Sequence, residues 1–291
     1  MHGILIVDKP RGPTSADVVA EVKRRLHADK VGHTGTLDPM ATGVLPIAVG
    51  EGTKLAPFLL ADDKAYEGEL ELGVTTTTLD IEGELTGRAD AASVTPAALA
   101  AALAAWIGDR EQIPPMYSAI RQRGQRLHEL ARAGLEVERA PRPIRISRCE
   151  LVAFDPPRAR FAVACSKGTY VRSLVRDVGE ALGCGATLTA LRRTAAGGFT
   201  LDQAIPLAQV APGARLVDPA AALGFLPALR LDAAGVRSVV TGRPLPAGEH
   251  AERARVRLLT PEGALAAVAE VTEGRLRTLR VLNYGLTGPG R

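Results

Sequence analysis

Val31-Gly32-His33-Thr34-Gly35-Thr36-Leu37-Asp38-Pro39-Met40-Ala41-Thr42-Gly43 holds three glycines, two threonines ahead of its one acid, and a proline directly after it. Such a composition specifies a tightly shaped turn rather than a helix or strand. Asp38 is the only carboxylate between Asp29 and Glu51, and Leu37 and Pro39 flank it, which predicts poor solvation. A loop aspartate of this kind either caps a backbone turn or acts as nucleophile or base, and the loop by itself leaves both open. A partly buried carboxylate without a partner is driven to its neutral form, so an ionised Asp38 needs a cation at hydrogen-bonding distance. The candidate is Arg172, in the first turn of a predicted helix and off its apolar stripe, where the helix dipole disfavours positive charge. An exposed surface arginine is the plain alternative.

Outward from that loop, Gly3-Ile4-Leu5-Ile6-Val7 reads as a buried strand ended by Asp8-Lys9-Pro10-Arg11-Gly12-Pro13. Ser15 is expected to cap a helix carrying Val18, Val19, Val22 and Leu26 at helical spacing. Val44 to Val49 is a strand, and Glu67 to Leu72 alternates as a half-exposed strand should. Thr95-Pro96 opens a helix with Leu99, Leu103, Trp106 and Ile107 on one side. Ile144 to Phe154 and Arg160 to Cys165 read as neighbouring strands, and Thr169 to Leu182 as the strongest helix, with Val171, Leu174, Val175, Val178 and Leu182 as its stripe. Leu207 to Pro227 suggests short helices and a linker. From Arg230 the texture is a short helix, then strand-turn-strand around Thr260-Pro261-Glu262-Gly263 and Thr272-Glu273-Gly274. The expected architecture is mixed α/β, with a main domain over residues 1–228 and a small β-rich module over 229–291. At 291 residues and 46% hydrophobic content the chain has material for about two domains of roughly 150 residues.

Three classes of function are disfavoured. The longest uncharged stretch, 91–108, is rich in alanine and contains Ser93, Thr95 and Pro96, so a membrane span is not expected. Only five apolar residues precede Asp8, which fits no secretory signal. Three cysteines (Cys149, Cys165, Cys184) without C-x-x-C spacing, and five histidines without an H-x-x-x-H pair, suggest neither a disulfide framework nor a zinc helix, and a reducing cytoplasm fits. The net charge of +4 is uneven: residues 110–193 hold 16 Lys/Arg against 8 Asp/Glu. Arginine outnumbers lysine 30 to 6 and is the better fork for phosphate oxygens, so a nucleic-acid groove is one reading and solvated basic faces the other. Tyr66, at the start of the alternating strand, is either half-core or a stacking platform for a flat ligand. His33 is either a satisfied loop histidine or a polar wedge against a base. Asp80, before Ile81-Glu82-Gly83, is by default a turn residue.

Gly3-Ile-Leu-Ile-Val-Asp-Lys-Pro with Gly12-x-Thr-Ser, and the run from Gly32 to Pro46, resemble the TruB family of bacterial tRNA pseudouridine synthases. Lys64-Ala65-Tyr66, Ile113 to Ala119, Cys165 to Arg172 and Leu191-Arg192-Arg193 match in the family's order, so the resemblance covers about residues 3 to 200. It implies a catalytic domain on a large mixed, mainly antiparallel sheet with flanking helices, and a short PUA-like C-terminal module. It implies isomerisation of uridine 55 in the T stem-loop of tRNA by a cytoplasmic enzyme without metal or cofactor. Asp38 would be the nucleophile, Tyr66 the ring on the target uracil, Arg172 the partner of Asp38 and Leu191 an apolar wall. His33 would be set against the opened T loop, and Lys9 and Asp80 would join the substrate-binding set. Attack at C1′, attack at C6 and a glycal route all stay open. The family commonly has an aspartate where this chain has Thr77. No coiled-coil heptad suggests more than a monomer. The rival readings are a tRNA-folding factor without turnover and a hydrolase using Asp38, the latter lacking any Walker loop, G-x-S-x-G or D-x-D motif.

Overall fold

The computed structural model describes residues 1–60, 63–122 and 124–283. Its centre is a ten-stranded mixed sheet. The spatial order is Ile205–Pro206, Gly3–Lys9, Thr42–Val49, Ala186–Ala196, Lys64–Leu72, Arg158–Cys165, Arg142–Asp155 and Gly108–Gln112. Val31–His33 pairs with Thr42–Val49, and Phe199–Thr200 with Ala186–Ala196. Two pairings are parallel, Gly3–Lys9 with Ile205–Pro206 and Thr42–Val49 with Ala186–Ala196; the others are antiparallel, as expected.

Strand composition follows from what covers each face. In Gly3–Lys9, Leu5 and Val7 point to a core shared with three helices, Ser15–Leu26, Pro96–Ala104 and Val171–Ala181. Ile4 and Ile6 point the other way, to a second core containing Val44, Phe58, Leu223, Leu265 and Val268. Burial on both faces explains a continuous apolar run. In Lys64–Leu72 the outer face keeps Glu67 and Glu69 in solvent while Leu70 and Leu72 are enclosed, hence the alternation. The Val171–Ala181 helix buries Val171, Leu174, Val175 and Val178 on the sheet, each contributing about 1.5–3 kcal/mol by leaving water.

A second, five-stranded sheet runs Ala228–Arg230, Arg255–Leu259, Leu265–Thr272, Arg275–Val281 and Leu245–Pro246, its strands joined by the two expected turns. It has its own core around Val256, Leu258 and Val271. Leu265 and Val268 also press onto the back of the main sheet, and Arg255 lies 5.7 Å above the Phe58 ring.

Three local expectations are corrected. The first helix is capped by Thr14 in a reciprocal box with Asp17, not by Ser15, which is buried. The 207–227 stretch is no linker: Val217 exchanges backbone hydrogen bonds with Ile4, and Asp218 caps the Pro219–Ala222 turn, whose Ala220 and Ala222 enter the second core. The Thr95-capped helix ends at Ala104, short of Trp106, and Ile107 is exposed. No described helix is long and apolar enough to cross a membrane.

Candidate active site

The 34–41 loop leaves the Val31–His33 strand and returns into Thr42–Val49, passing the carboxyl end of Ala186–Ala196. Gly43 is required at the return. Its φ is +100°, and a Cβ there would sit 2.2 Å from the Arg193 carbonyl oxygen.

Buried polar side chains fix the loop on both sides of Asp38. Ser15 Oγ donates to the Leu37 carbonyl at 3.0 Å and accepts from the Leu37 N–H at 2.8 Å. The Lys9 ammonium donates to the carbonyls of Pro10, Pro39 and Ala41 at 3.0, 3.1 and 2.7 Å. Burial lowers its pKa to about 8, which leaves it cationic at neutral pH. Arg193 donates to the carbonyls of Gly35, Thr36 and Val44. The Asp38 carbonyl accepts from Ala41 N–H, closing a turn that does not use the side chain.

The Asp38 carboxylate is therefore free to face Arg172, whose Nε lies 2.9 Å from Oδ2. Arg172 is buried, and its Nη1 stands 3.4 Å from Asp80 Oδ2. Nη1 and Nη2 donate to the carbonyls of Thr78 and Tyr117 at 3.0 and 2.9 Å. Two carboxylates and two carbonyls thus offset both desolvation and the unfavourable helix N-terminus. Burial pushes the Asp38 pKa above the ordinary carboxylate value; Arg172 and Lys9 pull it down, and Asp80 pushes it up.

Asp38 opens onto a cavity of ≈ 260 Å³, bounded by Thr36, Tyr66, Tyr170, Leu191 and Arg193. That is below the usual volume of drug-sized sites and suits one small planar group. Cross-strand register explains the far wall: Arg193 stands opposite Tyr66 and Leu191 opposite Gly68 on antiparallel strands, so their side chains share one face. Gly68 is needed because a Cβ would lie 2.4 Å from the Phe161 ring. On its other side Asp38 borders a cleft lined by His33, Asp80, Arg126, His128 and Arg132. Burial lowers the His33 pKa, with Arg193 adding to it, so the ring is neutral at pH 7. The Gly35 N–H donates to its Nδ1 at 3.4 Å, which places the ring proton on Nε2.

Asp38, Tyr66, Arg172 and Leu191 therefore meet in one cavity, and His33 and Asp80 border the adjoining cleft. Lys9 reaches neither. Its ammonium is fully buried with three donors on carbonyls, where it braces the loop from beneath. Asp80 is 2% exposed: Oδ1 accepts from Thr78 Oγ1 at 2.5 Å and Glu82 N–H at 3.0 Å, and Oδ2 faces Arg172. Its acceptors are used within the protein, as a turn and as a second counter-charge. Thr77 closes the same turn through Glu84, accepting its N–H at 3.1 Å. Ser15 and Arg193 escaped the sequence reading as loop braces. The signal for Arg193 was a charged residue on the inward face of a strand.

A profile of the TruB family pseudouridylate synthase N-terminal domain matches residues 23–171. The chain belongs to the TruB family of pseudouridylate synthases. The tRNA pseudouridylate synthase B C-terminal domain profile continues over 172–220. The tRNA pseudouridine synthase B of Stutzerimonas stutzeri (strain A1501) is 46% identical over 293 residues, covering 97% of this chain and 96% of that protein. That of Cupriavidus metallidurans (strain ATCC 43123 / DSM 2839 / NBRC 102507 / CH34) is 46% identical over 297 residues, with 97% and 94% covered. A crystal structure of a Cbf5-Nop10-Gar1 complex is similar at a TM-score of 0.75 and 25% identity, covering 97% of this chain and 85% of that one. In this TruB-family chain the cavity is built mostly from the segments whose motifs carried the resemblance.

Proposed function

We propose that this chain is a tRNA pseudouridine synthase that isomerises uridine 55 in the T stem-loop. The observation that carries this is the buried Arg172 holding the Asp38 carboxylate at 2.9 Å on the wall of a nucleobase-sized cavity. Uracil in a folded T loop is inaccessible, so the base must be extruded, at a cost of about a few kcal/mol. Stacking on Tyr66 against Leu191 returns roughly 1–3 kcal/mol of it. Asp38 acts as nucleophile, the C1′–N1 bond breaks, the base rotates and C5 bonds to C1′. The C5 proton leaves and N1 gains one, so the change is an isomerisation. Arg126 and Arg132, beside the Asp38 cleft, suit the RNA backbone.

Residues 1–228 serve as the catalytic domain and 229–291 as a short PUA-like RNA-binding module; the first strand of that sheet starts at Ala228. The enzyme acts as a cytoplasmic monomer, a location that suits its three free, buried cysteines. The test is incubation with T-arm RNA carrying tritium at uridine C5. Release into water with EDTA present is expected. Tight binding without release over long incubation would instead make the chain an RNA-folding factor.

A further inference from the structure

Gln112, the last residue of the Gly108–Gln112 strand at the edge of the main sheet, is 2% exposed. Burying a primary amide is costly unless its donor and its acceptor are both met. Here both ends meet one residue. Gln112 Oε1 accepts from the Tyr170 N–H at 2.8 Å, and Nε2 donates to the Tyr170 carbonyl at 3.1 Å. Tyr170 is the N-cap of the Val171–Ala181 helix, where backbone N–H groups lack partners within the helix, and it lines the Asp38 cavity. Two further contacts join the same segment to the same helical turn. Ser173 Oγ donates to the Ile113 carbonyl at 3.2 Å, and Arg172 Nη2 to the Tyr117 carbonyl at 2.9 Å.

Resting on the synthase reading, we propose that Gln112 is a positioning residue: its amide clamps the Tyr170 backbone and so sets the Arg172 guanidinium against Asp38. Arg172 Nε stands 2.9 Å from Asp38 Oδ2, and a drift of about 0.5 Å carries the pair outside the N–H···O range. Besides Arg172, the charged groups acting on Asp38 are Asp80 in its turn and Lys9 on the first strand, while Tyr66, Tyr170 and Glu82 feel the Asp38 charge. Of these, Arg172 and Tyr170 stand on the clamped segment, and only Arg172 brings a counter-charge. Loosening the clamp should therefore raise the Asp38 pKa further.

The test compares wild type with Gln112→Leu and Gln112→Glu at pH values where circular dichroism shows each folded. In Gln112→Leu the plateau single-turnover rate of tritium release should fall about tenfold or more while RNA affinity stays within about threefold. The pH midpoint of that rate should move to higher pH. So should the Asp38 titration, followed by 13C at Cγ and assigned by its loss in Asp38→Asn. Loss of folded protein alone would scale the rate equally at every pH and leave both midpoints in place. In Gln112→Glu a protonated carboxyl keeps one donor and one acceptor, whereas the ionised form only accepts and turns an oxygen on the Tyr170 carbonyl. Its rate should match wild type at the acid end and fall behind as pH rises, the opposite trend to Gln112→Leu. If the leucine variant does not fold, that falling ratio decides. Midpoints unmoved in Gln112→Leu, or a Gln112→Glu ratio that does not change with pH, overturn the proposal. Absence of tritium release by wild type would instead sink the synthase reading, and the Asp38 titration would still decide the clamp.

Discussion

Arg172→Met should cut single-turnover pseudouridine formation by about 10²–10³-fold and lower stability by about 3–5 kcal/mol. Arg172 is the cation for two carboxylates at once, 2.9 Å from Asp38 and 3.4 Å from Asp80. Its removal leaves two acids facing each other in a poorly solvated site, where one of them must take up a proton. The Thr78 and Tyr117 carbonyls also lose their donor. Lysine should be a poor substitute, since a single ammonium cannot span four acceptors. Adding Asp80→Asn to Arg172→Met should restore part of the stability but little of the rate, because Asp38 still lacks its counter-ion. Urea unfolding and tritium release separate the two effects. A stable, fast Arg172→Met enzyme would remove the ion pair from the mechanism.

Asp38→Asn has the larger catalytic effect, a loss of about four orders of magnitude or more, with RNA affinity nearly unchanged. The amide keeps the shape of the side chain and removes the nucleophile. Its effect on stability carries a distinctive sign. The folded state raises the Asp38 pKa, so it binds the proton more tightly than the unfolded chain does. The ionised form thus detracts from stability at pH values above the folded pKa, and this cost disappears as pH falls below the unfolded value. The uncharged amide should then leave the unfolding midpoint at pH 7 equal to or above wild type. Arg172 keeps Asp80 and two carbonyls as partners. A marked loss of stability in Asp38→Asn would mean that the carboxylate has a structural role instead.

Legibility from sequence depended on range. The Asp38 loop and the Val171–Ala181 helix stood out because their signals are local: glycines around an acid, and a stripe at helical spacing. The Arg172 contact with Asp38 was suggested by an arginine where the dipole disfavours it. The braces were hidden because their partners are remote in the chain. Ser15 reaches 22 residues to Leu37, Lys9 reaches 30 to Pro39, and Arg193 reaches 158 to Gly35. Ser15 illustrates the conflict, since Thr14-Ser15 offers two capping hydroxyls in succession. Only the fold decides that Thr14 takes the helix and Ser15 the loop. The 207–227 stretch misleads in a similar way: its prolines suggest a linker, yet Ala220 and Ala222 are small enough to pack against Ile4 and Ile6.

An ionised Asp38, held by Arg172 against burial and Asp80, is the core of this account. The single-turnover rate of tritium release as a function of pH tests it most directly. Only the carboxylate is active, so the rate should be full above the Asp38 pKa and fall as pH drops through it. The midpoint should lie above the ordinary aspartate value of about 3.9 and move to lower pH in Asp80→Asn, which removes the like charge. A midpoint at or below that value, or one that Asp80→Asn leaves in place, would contradict it.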